Sequence, residues 1–289
     1  MIYELTSEKL TVKIDSYGAE LVSAVGEDGY EHVWQGMEGF WSSHAPLLFP
    51  VCGRLLNSEY VYGGVRYDMQ GHGFACRSEF TATAVERNRL TLVLESSDAT
   101  RAIYPFEFRL TADFTLMYST LTMKLTVENL DEKTLPYMIG WHPAFNLEDS
   151  VAIGDYSLRL GSGDTVEWYP LQNGCFARPY GEDYTVPMGE YRLNEEEIYS
   201  NDTMIFKGTG DTAYLYAKGA RHTVNLDWSD NLPFLCIWKE DSSAAKFICL
   251  EPWSDIPADG VIPENFEERK MSRLRKGECE SYTYTVKLN

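Results

Sequence analysis

Two histidines, one glutamate and one arginine stand in local contexts that suit proton transfer on a small polar molecule. His72 lies in Gln70-Gly71-His72-Gly73-Phe74, where glycines on both sides allow a sharp turn and leave the imidazole accessible. His142 lies in Gly140-Trp141-His142-Pro143-Ala144-Phe145-Asn146, a charge-free aromatic segment. Glu251 comes near the end of Phe247-Ile248-Cys249-Leu250-Glu251-Pro252-Trp253, which reads as a buried strand whose ladder Pro252 should stop. A carboxylate at the end of an apolar strand is costly to bury unless it is paired or used. Desolvation raises its pKa, which is how a general base is tuned. Arg54 follows the apolar run Phe49-Pro50-Val51-Cys52-Gly53, and its five-donor fork suits vicinal hydroxyls or a carboxylate.

Each residue also has a plainer reading. A histidine in such surroundings is commonly a satisfied turn or core residue. Glu251 can bond backbone amides at the strand end, and Arg54 can form an ion pair with one of the many acids. Asp202, in Ser200-Asn201-Asp202-Thr203-Met204-Ile205-Phe206, is ambiguous in the same way, a cap or turn being the more common fate of such a residue. His32 and His222 sit in polar turn-like contexts, and His44 in a loop before Pro46. His72, His142 and Glu251 have the donor types of a His₂Glu metal site, but spacings of 70 and 109 residues leave no local ligand pair, so no metal is expected. GxSxG, GxxxxGK[ST], HExxH and a strand-associated GxGxxG are all missing, which removes the usual support for serine-hydrolase, P-loop, zincin and dinucleotide chemistry.

The elements that must position these groups read as strands. Period-two alternation recurs at Leu10 to Ile14, Leu90 to Glu95, Phe106 to Phe114, Leu121 to Val127, Val224 to Trp228 and Tyr282 to Leu288. Gly63-Gly64 marks a hairpin, and Asn129-Leu130-Asp131 and Gly208 to Asp211 mark further reversals. Leu193 to Tyr199 reads as a short helix with Glu195 to Glu197 solvated. No fixed-period repeat argues for a propeller or solenoid, and no linker separates two halves. One continuous all-β domain over residues 1–289 is expected, a broad sandwich whose concave face holds a small ligand.

Composition narrows the partners. With 25 basic against 44 acidic residues the net charge is −19, so no nucleic acid and no anionic membrane surface is expected as a partner. A hydrophobic fraction of 44% supports a sizeable core. The longest stretches without a charged side chain, Phe40 to Gly53 and Thr134 to Leu147, fall short of the ~20 apolar residues of a spanning helix. The opening MIYELTSEKL lacks a basic region followed by an apolar core, so a cytoplasmic location is expected. Cysteines at 52, 76, 175, 236, 249 and 279 show no CxxC spacing and read as reduced core thiols.

Taken together and in order, APLLFPVCGRL, QGHGF, YPFEF, GWHPAFN and FICLEPW make the chain resemble the aldose 1-epimerase (galactose mutarotase-like) family, most closely its LacX-like bacterial branch. YGAELVSAV and the stretch around VWQG are similar to that branch as well, so the likeness runs over essentially the whole chain. The resemblance implies an antiparallel β-supersandwich that binds a small-molecule aldose in an open cleft. It implies interconversion of the α and β anomers without a cofactor. It assigns Glu251 as base toward the C1 hydroxyl and protonated His142 as acid toward the ring oxygen, on opposite sides of the pyranose. His72, Arg54 and Asp202 would hold the substrate. Trp141, Phe145 and Trp253 can pack on a sugar face but are more often core, and are left outside the expected site. One departure concerns Phe74-Ala75-Cys76-Arg77, where the branch often reads HGFAR. In a strand, moving the arginine one place reverses its face, which would take it away from the sugar. A hexose-6-phosphate mutarotase and a non-catalytic carbohydrate-binding module of the same fold are the alternatives. Neither sugar identity nor oligomeric state follows from the sequence.

Overall fold

The computed structural model describes residues 1–289 except 38, 162–163, 173–175, 179, 194–202 and 241–243. The expected helix at Leu193 to Tyr199 and the acidic residue Asp202 therefore lie outside the described residues. Two large antiparallel sheets carry the architecture. One has nine strands in the order Glu190–Arg192, Tyr156–Leu160, Thr212–Ala217, Val224–Trp228, Cys279–Leu288, Thr120–Asn129, Phe108–Met117, Arg89–Glu95 and Thr81–Val85. The other has eight strands. Its order is Glu182–Thr185, Thr165–Trp168, Thr203–Lys207, Phe234–Trp238, Phe247–Trp253, Gly140–Trp141 and Leu47–Leu48, with Ala144–Asn146 also beside Phe247–Trp253.

The alternation read from the sequence follows from which sheet faces are covered. In the strand Phe108–Met117, Phe108, Leu110, Ala112, Phe114 and Leu116 are all buried, and the residues between them are partly exposed. The opposed faces of the two sheets meet through aromatic rings. Trp141 lies 5.7 Å from Tyr284, and Phe206 lies 5.5 Å from Tyr191, each pair crossing from the eight-stranded to the nine-stranded sheet. Full burial of such side chains stabilises by about 1.5–3 kcal/mol apiece. The reversal at Gly208 to Asp211 carries the chain from one sheet to the other, between Thr203–Lys207 and Thr212–Ala217.

Smaller elements flank the sandwich. The hairpin Glu59–Tyr62 and Val65–Asp68 turns at Gly63 (φ 58) and Gly64 (φ 73), as the two-glycine turn requires. A six-residue helix, Asp98–Ile103, is closed by a Ser97/Thr100 capping box; it is too short to leave a periodic signal in the sequence. Among the described residues no helix is long and apolar enough to cross a membrane.

Two sequence expectations need correction. Pro252 does not end its strand, which runs on to Trp253 with Leu235 opposite Pro252. The Leu250 N–H donates to the Pro143 carbonyl at 3.2 Å, so the ring nitrogen of Pro252, two residues on, faces that same neighbour and costs the Phe234–Trp238 ladder nothing. His32 and His222 are not bland turn residues either. His222 places Nε2 2.8 Å from Asp28 and Nδ1 2.8 Å from Glu148, with Tyr30 stacked 3.7 Å above and buried His32 edge-on.

Candidate active site

The outer face of the eight-stranded sheet, turned away from the nine-stranded one, forms the floor of an open cleft of about 500 Å³. Because side chains alternate along a strand, Cys236 and Trp238 share this face, as do Cys249, Glu251 and Trp253. Gly140 pairs with Trp253 and Ala144 with Cys249. Carried through the two residues where hydrogen bonding lapses, that register sets His142 directly opposite Glu251. Pro143 and Pro252 each remove a ladder donor there. The hydrogen bond from Leu250 to Pro143 makes the adjoining His142/Glu251 pair a non-hydrogen-bonded one, the kind in which cross-strand side chains come closest. His142 Nε2 lies 3.2 Å from Glu251 Oε2.

Turns build the wall. Gly53 (φ 72) and Gly73 (φ 75) adopt left-handed backbone conformations, and each is required by a neighbour. A Cβ on Gly73 would fall 2.1 Å from the Phe49 carbonyl oxygen, and one on Gly53 2.3 Å from the Pro257 ring. His72 is itself left-handed, at φ 64. Its N–H donates to the Gly53 carbonyl (2.8 Å), and its Nδ1 accepts from the Gly53 N–H (3.3 Å), which leaves Nε2 to carry the proton. Arg54 is exposed at the cleft, and its guanidinium has no hydrogen-bond or ion-pair partner among the described residues.

Arg77 corrects the reading of the Cys76-Arg77 departure. Ala75–Arg77 is a turn of 3₁₀ helix rather than a strand, so a one-place shift does not reverse a face. Arg77 lines the cleft and donates to the carbonyls of Gly73 (2.7 Å) and Gly71 (3.3 Å). Of the five residues expected at the site, His142, Glu251, Arg54 and His72 line this one cleft. Asp202 lies outside the described residues.

Aromatic side chains complete it. Trp41 stacks on His142 at 4.9 Å, and Trp238 meets the same imidazole edge-on at 5.6 Å. Both line the cleft, with Trp253, and neither was expected from the sequence. For Trp238 the signal was available, two places beyond Cys236 in an alternating strand. Trp41 sits in a loop, where no period marks it. Trp141 and Phe145 are core, at 1% and 0% exposure.

Burial sets the protonation of the floor. It pushes the Glu251 carboxyl well above the usual carboxylate range and the His142 imidazole well below the usual histidine value, with His72 adding to the latter. His72 is lowered to about 4 by burial and by the charges of Arg77 and Arg54. Neutral forms of all three are therefore favoured, the carboxyl holding its proton. That is the reverse of the sequence expectation of a carboxylate base beside a protonated His142. The pair is also side by side, where the sequence expectation set the two groups on opposite sides of a sugar. Metal-ligating atoms converge here too, but from His142, Cys249 and Glu251, so a local pair two residues apart does exist and His72 is not part of the set.

A buried carboxyl beside a buried imidazole, and two arginines without carboxylate partners among the described residues, fit a polyhydroxylated ligand. The family model described as aldose 1-epimerase matches residues 1–288. The chain belongs to the aldose 1-epimerase family. This family member is 31% identical over 275 residues to protein LacX, chromosomal, of Lactococcus lactis subsp. lactis, covering 89% of this chain and 88% of that one. Among solved structures it is similar to a galactose mutarotase related enzyme from Lactobacillus acidophilus. The TM-score there is 0.92 at 26% identity, covering 100% of this chain and 97% of that one. It is likewise similar to a galactose mutarotase-like protein from Lactobacillus casei, with TM-score 0.91 at 27% identity and 100% of both chains covered. The fold is thus the galactose mutarotase-like β-supersandwich.

Proposed function

We propose that this chain is an aldose 1-epimerase that interconverts the α and β anomers of a hexose by general acid/base ring opening and closure, with no cofactor. The observation that carries the reading is the contact of His142 Nε2 with Glu251 Oε2 at 3.2 Å on the floor of an open cleft. Ring opening removes a proton from the anomeric hydroxyl O1 and delivers one to the ring oxygen O5. Both oxygens are bonded to C1, a single tetrahedral edge apart, so two groups on one patch of the cleft floor can reach both. Side-by-side placement of His142 and Glu251 supports this reading.

Starting from the neutral pair, His142 accepts the O1 proton while Glu251 gives its own to O5, and the C1–O5 bond breaks to leave the free aldehyde. Rotation about C1–C2 presents the other face of the carbonyl. On closure O5 attacks C1, returns its proton to Glu251, and O1 recovers one from His142. The pair ends as it began. Each transfer is expected to contribute about 10²–10⁴ in rate. Arg54 and His72 Nε2–H donate to sugar hydroxyls, and Trp41 and Trp253 cover the apolar C–H face; placement of the ring is itself a large part of the effect. Asp202 is proposed to hold one further hydroxyl.

A second reading, a hexose-6-phosphate mutarotase, is favoured by one observation. Arg54 and Arg77 both line the cleft, and among the described residues neither has a carboxylate partner, although acids outnumber bases in the chain. Anomer exchange followed by NMR across glucose, galactose and their 6-phosphates tests both readings. Acceleration of any of them supports the epimerase, preference for the phosphates selects the second, and no acceleration of any would overturn both.

A further inference from the structure

Four metal-ligating side chains share one patch of the outer sheet face. His142 Nε2 or Nδ1, Cys249 Sγ and a Glu251 carboxylate oxygen all lie within 4.8 Å of one another. On the other side of Glu251, Cys236 donates its thiol to Oε1 at 3.6 Å. Strand register produces the cluster. Cys249 and Glu251 are two residues apart, Cys236 is the cross-strand partner of Glu251, and His142 stands opposite it on the far side. Cys249 and Glu251 are buried at 0% exposure, and Glu251 Oε2 has no hydrogen-bond partner.

We propose that His142, Cys249 and Glu251 form a site for one thiophilic divalent cation of the zinc type, with Cys236 placed to supply a fourth ligand. In a tetrahedral zinc site, bond lengths of about 2.0–2.3 Å put nitrogen and oxygen donors about 3.3 Å apart and sulfur and nitrogen donors about 3.6 Å apart. The His142–Glu251 separation of 3.2 Å already matches the first edge. The sulfur lies within 4.8 Å of both other donors, so at most about 1.2 Å separates it from the second edge. With His142, Cys249 and Glu251 as ligands, one thiolate and one carboxylate neutralise the cation and the imidazole stays neutral; Cys236 joining as a thiolate adds one negative charge and releases one further proton. Binding releases the Cys249 thiol proton and the Glu251 carboxyl proton to solvent. A sulfur and nitrogen donor set excludes magnesium and calcium, which take oxygen ligands.

Such occupancy ties up both groups of the proposed proton transfer, so the cation acts as an inhibitor; that consequence rests on the epimerase reading, whereas binding itself does not. The experiment is titration of chelator-treated full-length protein with Co²⁺ alone, read by absorbance. The expected result is one equivalent bound with a thiolate-to-cobalt charge-transfer band. Zn²⁺ should displace the cobalt, Cys249→Ala should diminish the band and weaken binding by on the order of 100-fold, and adding Cys236→Ala should abolish the band. Zn²⁺ at one equivalent should then stop sugar mutarotation by the wild type and not by Cys249→Ala. Should alanine there prevent folding, Cys249→Ser gives the same readout, because a hydroxyl yields no sulfur band. No thiolate band in the wild type, or an undiminished band in the variant, would overturn the site. Absence of mutarotation with the cobalt band intact would strike the epimerase reading and leave the metal site standing.

Discussion

Glu251 and His142 are cross-strand partners. The pairings Gly140 with Trp253 and Ala144 with Cys249 belong to one continuous register, and the two side chains meet at 3.2 Å in its middle, where the ladder bonds lapse. Residues 109 apart in the chain are thereby fixed with the precision of adjacent strands, on an element buried along its whole length.

Removing either member should disable the pair as a unit. Glu251→Gln and His142→Asn are each expected to lower kcat by about 10²–10⁴ with folding intact, and the double variant should be no slower than the worse single one. Polarimetry on freshly dissolved α-anomer checks all three; near-normal rates in both singles would end the mechanism.

The pH profile should be a broad bell. The active pair holds one proton between its members. It gains a second only when His142 is protonated, which burial has moved well below the usual histidine value, and loses the last only when Glu251 ionises, which burial has moved up. The acid limb should therefore fall below pH 6.5, the ordinary histidine value. An acid limb centred at or above that value would contradict the neutral resting pair.

Stability carries the same signature with a definite sign. Glu251 has a folded-state pKa above its unfolded one, so its contribution is fully present below the unfolded value and is lost as pH rises toward the folded one. In that interval the wild type should lose up to about 1.4 kcal/mol per pH unit from this group. Glu251→Gln has no such loss. Denaturant melts from pH 5 to pH 9 should show the variant gaining on the wild type as pH increases, and parallel curves would argue against a buried carboxyl.

Arg54→Ala should separate binding from folding. The side chain is exposed and has no hydrogen-bond or ion-pair partner among the described residues, so stability should change by less than about 0.5 kcal/mol. Loss of a charged donor worth about 1.5–3 kcal/mol should cut kcat/KM by roughly 10–150-fold, chiefly through KM. Saturation kinetics and a thermal melt read the two effects separately.

Gly73→Ala should fail for a backbone reason. The position is left-handed, and a Cβ would lie 2.1 Å from the Phe49 carbonyl oxygen. The turn must shift and take His72 with it, so both stability and activity should drop, whereas Gly63→Ala, in an open hairpin, should leave activity intact. Equal behaviour of the two variants would show that the turn is not what positions His72.

Much of the fold was legible because a sheet with one covered face writes alternation into its strands. Val224–Trp228 is found as expected, and Cys279–Leu288 extends the expected Tyr282 to Leu288 by three residues at its start. The errors arose where local rules meet tertiary context. Pro252 reads as a stop until the direction of its ring nitrogen is known. Arg77 reads as misdirected until its segment proves to be a turn. Trp41 is silent in the sequence because loop residues carry no period. The site histidines and Glu251 could be named, but their contact depends on a register between strands distant in sequence, which no local pattern encodes.

The division between floor and wall in this cleft has an evolutionary meaning. The proton-transfer groups are anchored in mid-sheet, while Arg54, His72 and Arg77 come from turns outside the strands of the two large sheets. Descendants of such a scaffold can exchange the wall segments wholesale, trading one clientele of sugars for another, and inherit the chemistry unchanged.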